Sequence, residues 1–303
     1  MLNDKHFAEI VLESDIIAIN LYHQSQPCDL GIPLLWGVEF HYNIKIQTNN
    51  MQLILASAKI MRSADSGRVP TMTTPIFDDA ARRLALELSQ WSVTDLAKAL
   101  HCSAAIALEN HQRFQQFMVD ESSIPAILAY YGQAYKHLRA DEFSADDFRF
   151  AQNHLLILSF LYGILRPLDG IRLYRLEGKV KLQTTDGKTL FAWWKDRLTD
   201  RLIERVKTDD GVLLHLATEE FEHLFDWKRV EKEVRVVKPY FYVDQGAQFK
   251  IVSMYAKGCR GGMARFVIQN KLNDPKALSA FSEDGFIFNP RLGDENHPHF
   301  IKA

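Results

Sequence analysis

The chain has 303 residues, 47% of them hydrophobic and 24% charged, and a net charge of −2. That balance belongs to a globular protein with a large core and excludes a disordered or low-complexity polypeptide. No apolar run reaches the ~20 residues of a membrane-spanning helix, and a start carrying Asp4, Glu9, Glu13 and Asp15 is unlike the basic opening of a secretory signal.

Three cysteines, Cys28, Cys102 and Cys259, lack metal-ligand spacing and cannot all pair, which points to a reducing, cytoplasmic setting. The near-neutral total conceals a gradient. Residues 1–50 hold two Lys/Arg against six Asp/Glu, residues 161–207 eleven against six, and residues 228–271 ten against three. Two basic blocks of this kind suit a polyanionic partner, or else solvate helix faces.

Residues 1–50 read as an N-terminal extension, of the kind an upstream start assignment adds, ahead of a domain over 51–303. The other reading is a module of its own, since Ile32, Leu34, Leu35 and Trp36 are apolar. Residues 51–56 read as a buried first strand, and Ser63 to Thr74 as a polar loop. Ile76–Leu88, Val93–Leu100 and Ala104–Phe117 read as helices.

The clearest helix is predicted over 144–161. Ser144 is a good N-cap, Asp146 and Asp147 favour the first turn, and Phe148, Leu155 and Leu158 repeat at helical spacing. Trp194–Val206 reads as a further helix, and Gly211–Leu216, Glu233–Val243 and Phe249–Met254 as strands. A last helix, Arg260–Leu272, is opened by Gly261-Gly262. The mixture predicts an α/β class in mixed α+β form, with a rhythm too irregular for a doubly wound sheet or barrel.

The most informative stretch is Leu161-Tyr162-Gly163-Ile164-Leu165-Arg166-Pro167-Leu168-Asp169, with Tyr174-Arg175-Leu176-Glu177 behind it. Gly163 breaks an apolar run and Pro167 can restart a helix. The spacing predicts a helix–turn–helix hairpin ringed by Arg166, Arg172 and Arg175. Such a turn can hold phosphates through backbone N–H groups. It is equally an ordinary corner with solvated arginines, and Arg166 could instead pair with Asp169 or Glu177.

Together with Leu53 to Lys59, Phe143 to Phe148, Leu216 to Phe221, Tyr255 to Phe266 and Glu283 to Phe286, these blocks resemble, in order, the YaaA family of bacterial peroxide-stress proteins. The likeness covers roughly residues 51–290. It departs at Ala58 and Leu173, where the family usually carries proline, and at Gln133, Gly178 and His215. It implies a single body with an unusual α/β fold containing a helix-hairpin-helix-like motif. It also implies a role limiting iron-dependent oxidative damage to DNA and proteins, and binding of duplex or branched DNA without sequence preference. No obligate protein partner and no membrane contact are expected.

The phosphate-binding candidates are Lys59, Gly163, Arg166, Arg172, Arg175, Lys257, Arg260, Gly261, Gly262 and Arg265. Glycines at a helix start let a phosphate approach the free N–H groups. The spacing is neither that of a Walker loop nor of a dinucleotide fingerprint, so no cofactor is expected. A rival reading is an enzyme acting on a nucleotide or nucleic acid. Ser57 and Lys59, at i and i+2, could pair in a dry site, and Glu177 and Glu220 could serve as acid and base or as ion-pair partners. The eleven histidines have no ligand spacing, so no metal site is expected.

Overall fold

Phe7–Leu12 (β1) and Asp15–Asn20 (β2) pair antiparallel, with Phe7 opposite Asn20 and Leu12 opposite Asp15. In the computed structural model, which describes residues 7–12, 15–20, 50–63, 70–119, 122–246 and 248–303, this hairpin belongs to one unit, Met1–Thr48. Asn49–Ala303 is a second. Cys28, the apolar residues 32–36 and residues 64–69 of the expected loop lie outside the described residues.

The second unit opens on β3 (Gln52–Ala56), then α1 (Asp78–Leu88), α2 (Val93–Ala99) and α3 (Ala104–Gln116). A two-residue strand β4 (Ile124–Pro125) and a one-turn helix α4 (Ala126–Ala129) precede α5 (Gln133–Leu138) and α6 (Ala145–His154). Next come β5 (Leu155–Ser159), β6 (Gly163–Leu165), β7 (Gly170–Ile171), α7 (Leu190–Lys207) and β8 (Val212–Leu216). The chain continues through α8 (Glu219–Glu222), α9 (Trp227–Glu233), β9 (Arg235–Val237), β10 (Tyr240–Asp244) and β11 (Phe249–Lys250). It closes with α10 (Ser253–Asn270), β12 (Ser282–Glu283), β13 (Phe286–Gly293) and β14 (Pro298–Lys302).

The central sheet has the order β6-β5-β3-β8-β9. β5, β3, β8 and β9 run parallel, and β6 is an antiparallel edge. Leu53, Ile54 and Leu55 on β3, and all of β5 and β8, are buried on both faces, as parallel strands covered by helices must be. The unit is therefore mixed α/β as expected, but it does contain a small parallel core. The stretch of nearly a hundred residues between β3 and β5 hides the strand–helix rhythm in the sequence. A second sheet, β11-β10-β14-β13-β12, holds the C-terminal strands.

Ser92, Ser103 and Ser144 cap helices that start where the sequence placed them, and Thr189 caps α7, which begins at Leu190, ahead of the expected Trp194; each side-chain oxygen accepts from a backbone N–H one turn on. At Ser144 the Asp147 carboxylate answers on the Ser144 N–H, closing a capping box.

Three expectations are corrected. The helix predicted over 144–161 stops at His154, and residues 155–159 are strand β5. A short run of buried apolar residues fits helix or strand equally, and here pairing with β3 decides it. The strand predicted over 233–243 is two strands separated by Lys238-Pro239, since proline has no N–H for a ladder. The strand predicted over 249–254 shrinks to Phe249–Lys250, and α10 begins at Ser253, before the glycine pair.

All three sheets of the second unit, the two five-stranded ones and the β4-β7 pair, are built from residues beyond 51. A chain starting at Met51 is therefore expected to unfold cooperatively, in one denaturant transition, and to keep its ligand binding. A truncated chain that aggregates or melts without a transition would show that residues 1–50 are needed for the core.

Candidate functional site

The chain leaves β3 for β5 on one side, then returns to β8 on the other. At such a switch point the loops after neighbouring parallel strands diverge and leave a crevice at the carboxyl ends. A cleft of about 480 Å³ occupies that place, within the size range of small-molecule sites. Its floor is Leu55, Ala56, Leu216 and Phe160; its walls come from the loop Ser57–Ile60, the start of α5, Tyr174–Leu176 and the α8 region. Ser253, Lys257 and Arg260 of α10 complete it; their spacing of four and three residues sets them on one helix face.

Four cations line this cleft: Lys59, Arg175, Lys257 and Arg260. Lys59 Nζ lies 2.8 Å from Glu177 Oε1, and Arg175 Nη2 donates to the same oxygen at 3.4 Å. Glu177 is buried, whereas the Lys59 side chain is 58% exposed. Glu220 also lines the cleft, is exposed, and has no ion-pair partner among the described residues. With Glu177 and Glu220 set against the four cations, the cleft keeps two positive charges in excess; Glu219, whose field reaches Arg260, is itself paired with Lys238 at 3.3 Å.

Arg260 accounts for much of that excess. It is half-buried, with no carboxylate within ion-pair distance among the described residues. Burial holds its guanidinium below the usual value, partly offset by the field of Glu219. A desolvated guanidinium without an anion is costly. Arg175 presents a further donor without an acceptor, its Nε being buried and unpartnered.

Beneath the cations lies a tyrosine network. Tyr174 Oη is 2.8 Å from Tyr130 Oη and 2.6 Å from Ser159 Oγ, and Ser57 bonds to the same hydroxyl. Tyr135 Oη donates to the Ala56 carbonyl at 3.0 Å. Burial pushes Tyr174 up to about 12 and raises Tyr130 and Tyr135 well above the ordinary phenol. These rings therefore stay protonated at neutral pH and act as hydrogen-bonding walls, not as bases. Phe160 and Phe221 stack at 4.6 Å to form the apolar wall.

The cleft gathers Ser57, Lys59, Arg175, Glu220, Lys257 and Arg260, with Glu177 behind, and leaves the other candidates elsewhere. The helical hairpin expected at 161–169 is a β-hairpin: β5, a turn at 160–162, and β6. Ser159 Oγ accepts from the Leu161 and Tyr162 N–H groups and fixes the turn. Gly163 is needed there for φ +69° and because a Cβ would strike the Trp194 ring at 2.8 Å. It faces the core and no phosphate. Helices do form a hairpin at α2–α3, across residues 100–103.

Arg166 is a structural residue. Its backbone N–H donates to Asp169 Oδ2 at 2.8 Å, its Nη2 and Nε to Oδ1 at 2.9 and 3.2 Å, and Nη2 also to the Thr74 carbonyl. Arg172 lies over the Phe117 ring, away from the cleft. Arg265 donates to Glu283 Oε2 at 2.8 Å.

Gly261 and Gly262 sit inside α10, not at its start, and both are buried. A Cβ on Gly261 would lie 1.7 Å from the Ala134 carbonyl oxygen, so Gly261 lets α5 and α10 touch, while Gly262 makes room for the Glu283 side chain. On another face of α10, His137, Glu283 and Asp284 bring ligand atoms within 4.8 Å of one another. Arg265 already neutralises one of these carboxylates.

Ser57 and Lys59 do not form the dry pair a Ser–Lys nucleophile requires, because the lysine is exposed and held by Glu177. Sequence reasoning missed Tyr135 and Phe160, and Phe221 stood in the Leu216–Phe221 block without being read as part of a wall. Tyr174 stood in the Tyr-Arg-Leu-Glu block, and its polarity amid apolar neighbours was the available signal.

Comparisons with known proteins agree with this residue pattern. A family model described as "Peroxide stress protein YaaA" matches residues 51–292. A UPF0246 protein of Bacteroides thetaiotaomicron is 45% identical over 254 residues, covering 84% of this chain and 99% of that protein. The UPF0246 protein BF3795 of Bacteroides fragilis is 44% identical over 246 residues, covering 81% and 96%. A UPF0246 protein of Crocosphaera subtropica is 36% identical over 253 residues, covering 83% and 100%. With the Leu53–Lys59, Tyr174–Glu177, Leu216–Phe221 and Tyr255–Phe266 blocks meeting at one cationic cleft and the match running from β3 into β13, the chain belongs to the YaaA family of peroxide stress proteins.

Proposed function

We propose that the protein serves the peroxide-stress response in the cytoplasm by holding duplex or branched DNA on its cationic cleft. Contact there limits iron-dependent oxidative damage to the bound DNA and, through it, to the cell's proteins. The observation that carries this reading is the cleft's uncompensated positive charge, centred on Arg260. Phosphates are the DNA groups that such charge recognises, and phosphate contacts carry no base information. Binding is therefore indifferent to sequence.

A salt series tests it. Log affinity for a duplex should fall linearly with log salt, by about 0.9 per phosphate neutralised, approaching about −3.6 if all four cations engage. Absence of binding at low salt, or an affinity flat in salt, overturns the reading.

A second reading is favoured by the concave shape of the cleft and its place at the carboxyl ends of parallel strands. There the protein is an enzyme acting on a nucleotide or nucleic acid, with Glu220 as the acid–base group still open to a substrate. Ser57, Lys59 and Glu177 would position that substrate.

A further inference from the structure

We propose that the inner end of the cleft is a receptor for a phosphate monoester carried by a nucleotide, with Arg260 as the residue that selects it. This rests on the reading of the cleft as a phosphate site and specifies which phosphate. The first argument is charge. The cleft keeps two positive charges beyond its carboxylates. A diester within a strand carries one negative charge, whereas a monoester carries about 1.5 to 2 at neutral pH. The monoester is the match.

The second argument is shape. Leu55, Leu216 and Phe160 close the floor and are themselves buried. A strand can enter such a cleft but cannot pass through it, so the phosphate that reaches the bottom is the last one. The volume of about 480 Å³ suits one nucleotide unit, and the Phe160–Phe221 wall offers apolar contact to its sugar or base.

The third argument is the donor set. Arg260 lacks a carboxylate and the Arg175 Nε lacks any acceptor among the described residues. Guanidinium groups bind phosphate oxygens in pairs of parallel N–H bonds, and a terminal phosphate has three such oxygens free, against two for a diester. The ligand also fits the family's stress. Hydrogen abstraction from deoxyribose by an oxygen radical breaks a strand and leaves phosphate-terminated ends. Radical strand scission is thus the class of reaction that supplies this ligand.

The test compares labelled duplexes of one sequence, ending in a 5′-phosphate, a 3′-phosphate or hydroxyls only, against the full chain at fixed salt. At least one phosphate end should bind about tenfold tighter or better than the hydroxyl-ended duplex, the gain of a charge-assisted hydrogen bond. Arg260→Gln should bring that ratio towards one without moving the unfolding midpoint enough to depopulate the fold. Equal binding of all three duplexes by the native chain overturns the inference while leaving DNA binding intact, and needs no variant. A preference that survives in Arg260→Gln overturns the assignment to Arg260. Titration with a deoxynucleoside monophosphate, against the nucleoside, separates the sources. Saturable, Arg260-dependent binding of the monophosphate without any duplex binding upholds the receptor and overturns the DNA reading.

Discussion

Asp169→Ala lowers the stability of the protein by about 3–5 kcal/mol, the cost of breaking a buried ion pair by removing one partner. The Asp169 carboxylate is fully buried and accepts from the Arg166 backbone and guanidinium and from Thr73 Oγ1 at 2.6 Å. Its removal leaves the Arg166 N–H, Arg166 Nε and Thr73 Oγ1 without that acceptor and Arg166 Nη2 with the Thr74 carbonyl alone, at the junction between the β6 hairpin and the loop before α1. For a chain of this size each kcal/mol moves the midpoint by about 2–4 °C, so a fall on the order of 10 °C is expected. Chemical denaturation with an unchanged m-value is the direct check. A loss below about 1 kcal/mol would put the pair on the footing of a surface salt bridge.

The same variant separates fold from function. Arg166 lies outside the cleft, so folded Asp169→Ala protein should bind DNA with the native salt slope. A loss of affinity in step with the loss of the pair would return Arg166 to the phosphate contacts.

Arg166 and Arg260 illustrate what a sequence exposes and what it conceals. Both are arginines in basic blocks beside family-like motifs, and both qualify as phosphate contacts by composition. What separates them is a partner. Asp169, three residues on, turns back onto Arg166 and consumes its donors, whereas among the described residues no carboxylate comes within ion-pair distance of Arg260, and Glu219 acts on it only through its field. The local pairing was visible as an alternative in the spacing. The absence of a partner for Arg260 depends on where β3, β8 and α10 meet, which spacing alone does not encode.

Secondary structure divides along the same line. Helix starts at Ser92, Ser103 and Ser144 were legible because a cap is a local contract between a side chain and the N–H groups one turn away. β5 was not, because four consecutive buried residues carry no period, and only pairing with β3 makes them a strand. The Tyr-Arg-Leu-Glu block lies at the cleft: it supplies Tyr174 to the hydroxyl network, Arg175 to the cation set and Glu177 to Lys59. Phe221 stood in the Leu216–Phe221 block, but Phe160 carried no signature of its own, and long-range packing alone brings it onto Phe221.

Gly261→Ala is expected to cost about 3 kcal/mol or more, the upper end for overpacking a closed contact. In isolation the change favours the helix by about 1 kcal/mol, since alanine is the better helix former. The contact wins because the new Cβ would lie 1.7 Å from the Ala134 carbonyl oxygen. That atom is backbone, so α5 and α10 must separate instead of a side chain turning aside. Gly258, Gly261 and Gly262 stand at the three- and four-residue spacing that makes one face of a helix, a signal that a reading of Gly-Gly as a helix opening passes over. A graded series checks the mechanism. Gly262→Ala would meet only the end of the Glu283 side chain at 2.8 Å, which can move at the expense of its bonds to His137 and Arg265, so its loss should be smaller. Denaturant midpoints in the order native, Gly262→Ala, Gly261→Ala, from highest to lowest, support close helix approach as the role of these glycines. Because Gln133 and Ala134 on α5 and Lys257 and Arg260 on α10 all line the cleft, any Gly261→Ala protein that folds with the two helices moved apart should also bind phosphate more weakly. Full stability with native affinity would show that neither role, helix contact or phosphate approach, depends on the missing Cβ.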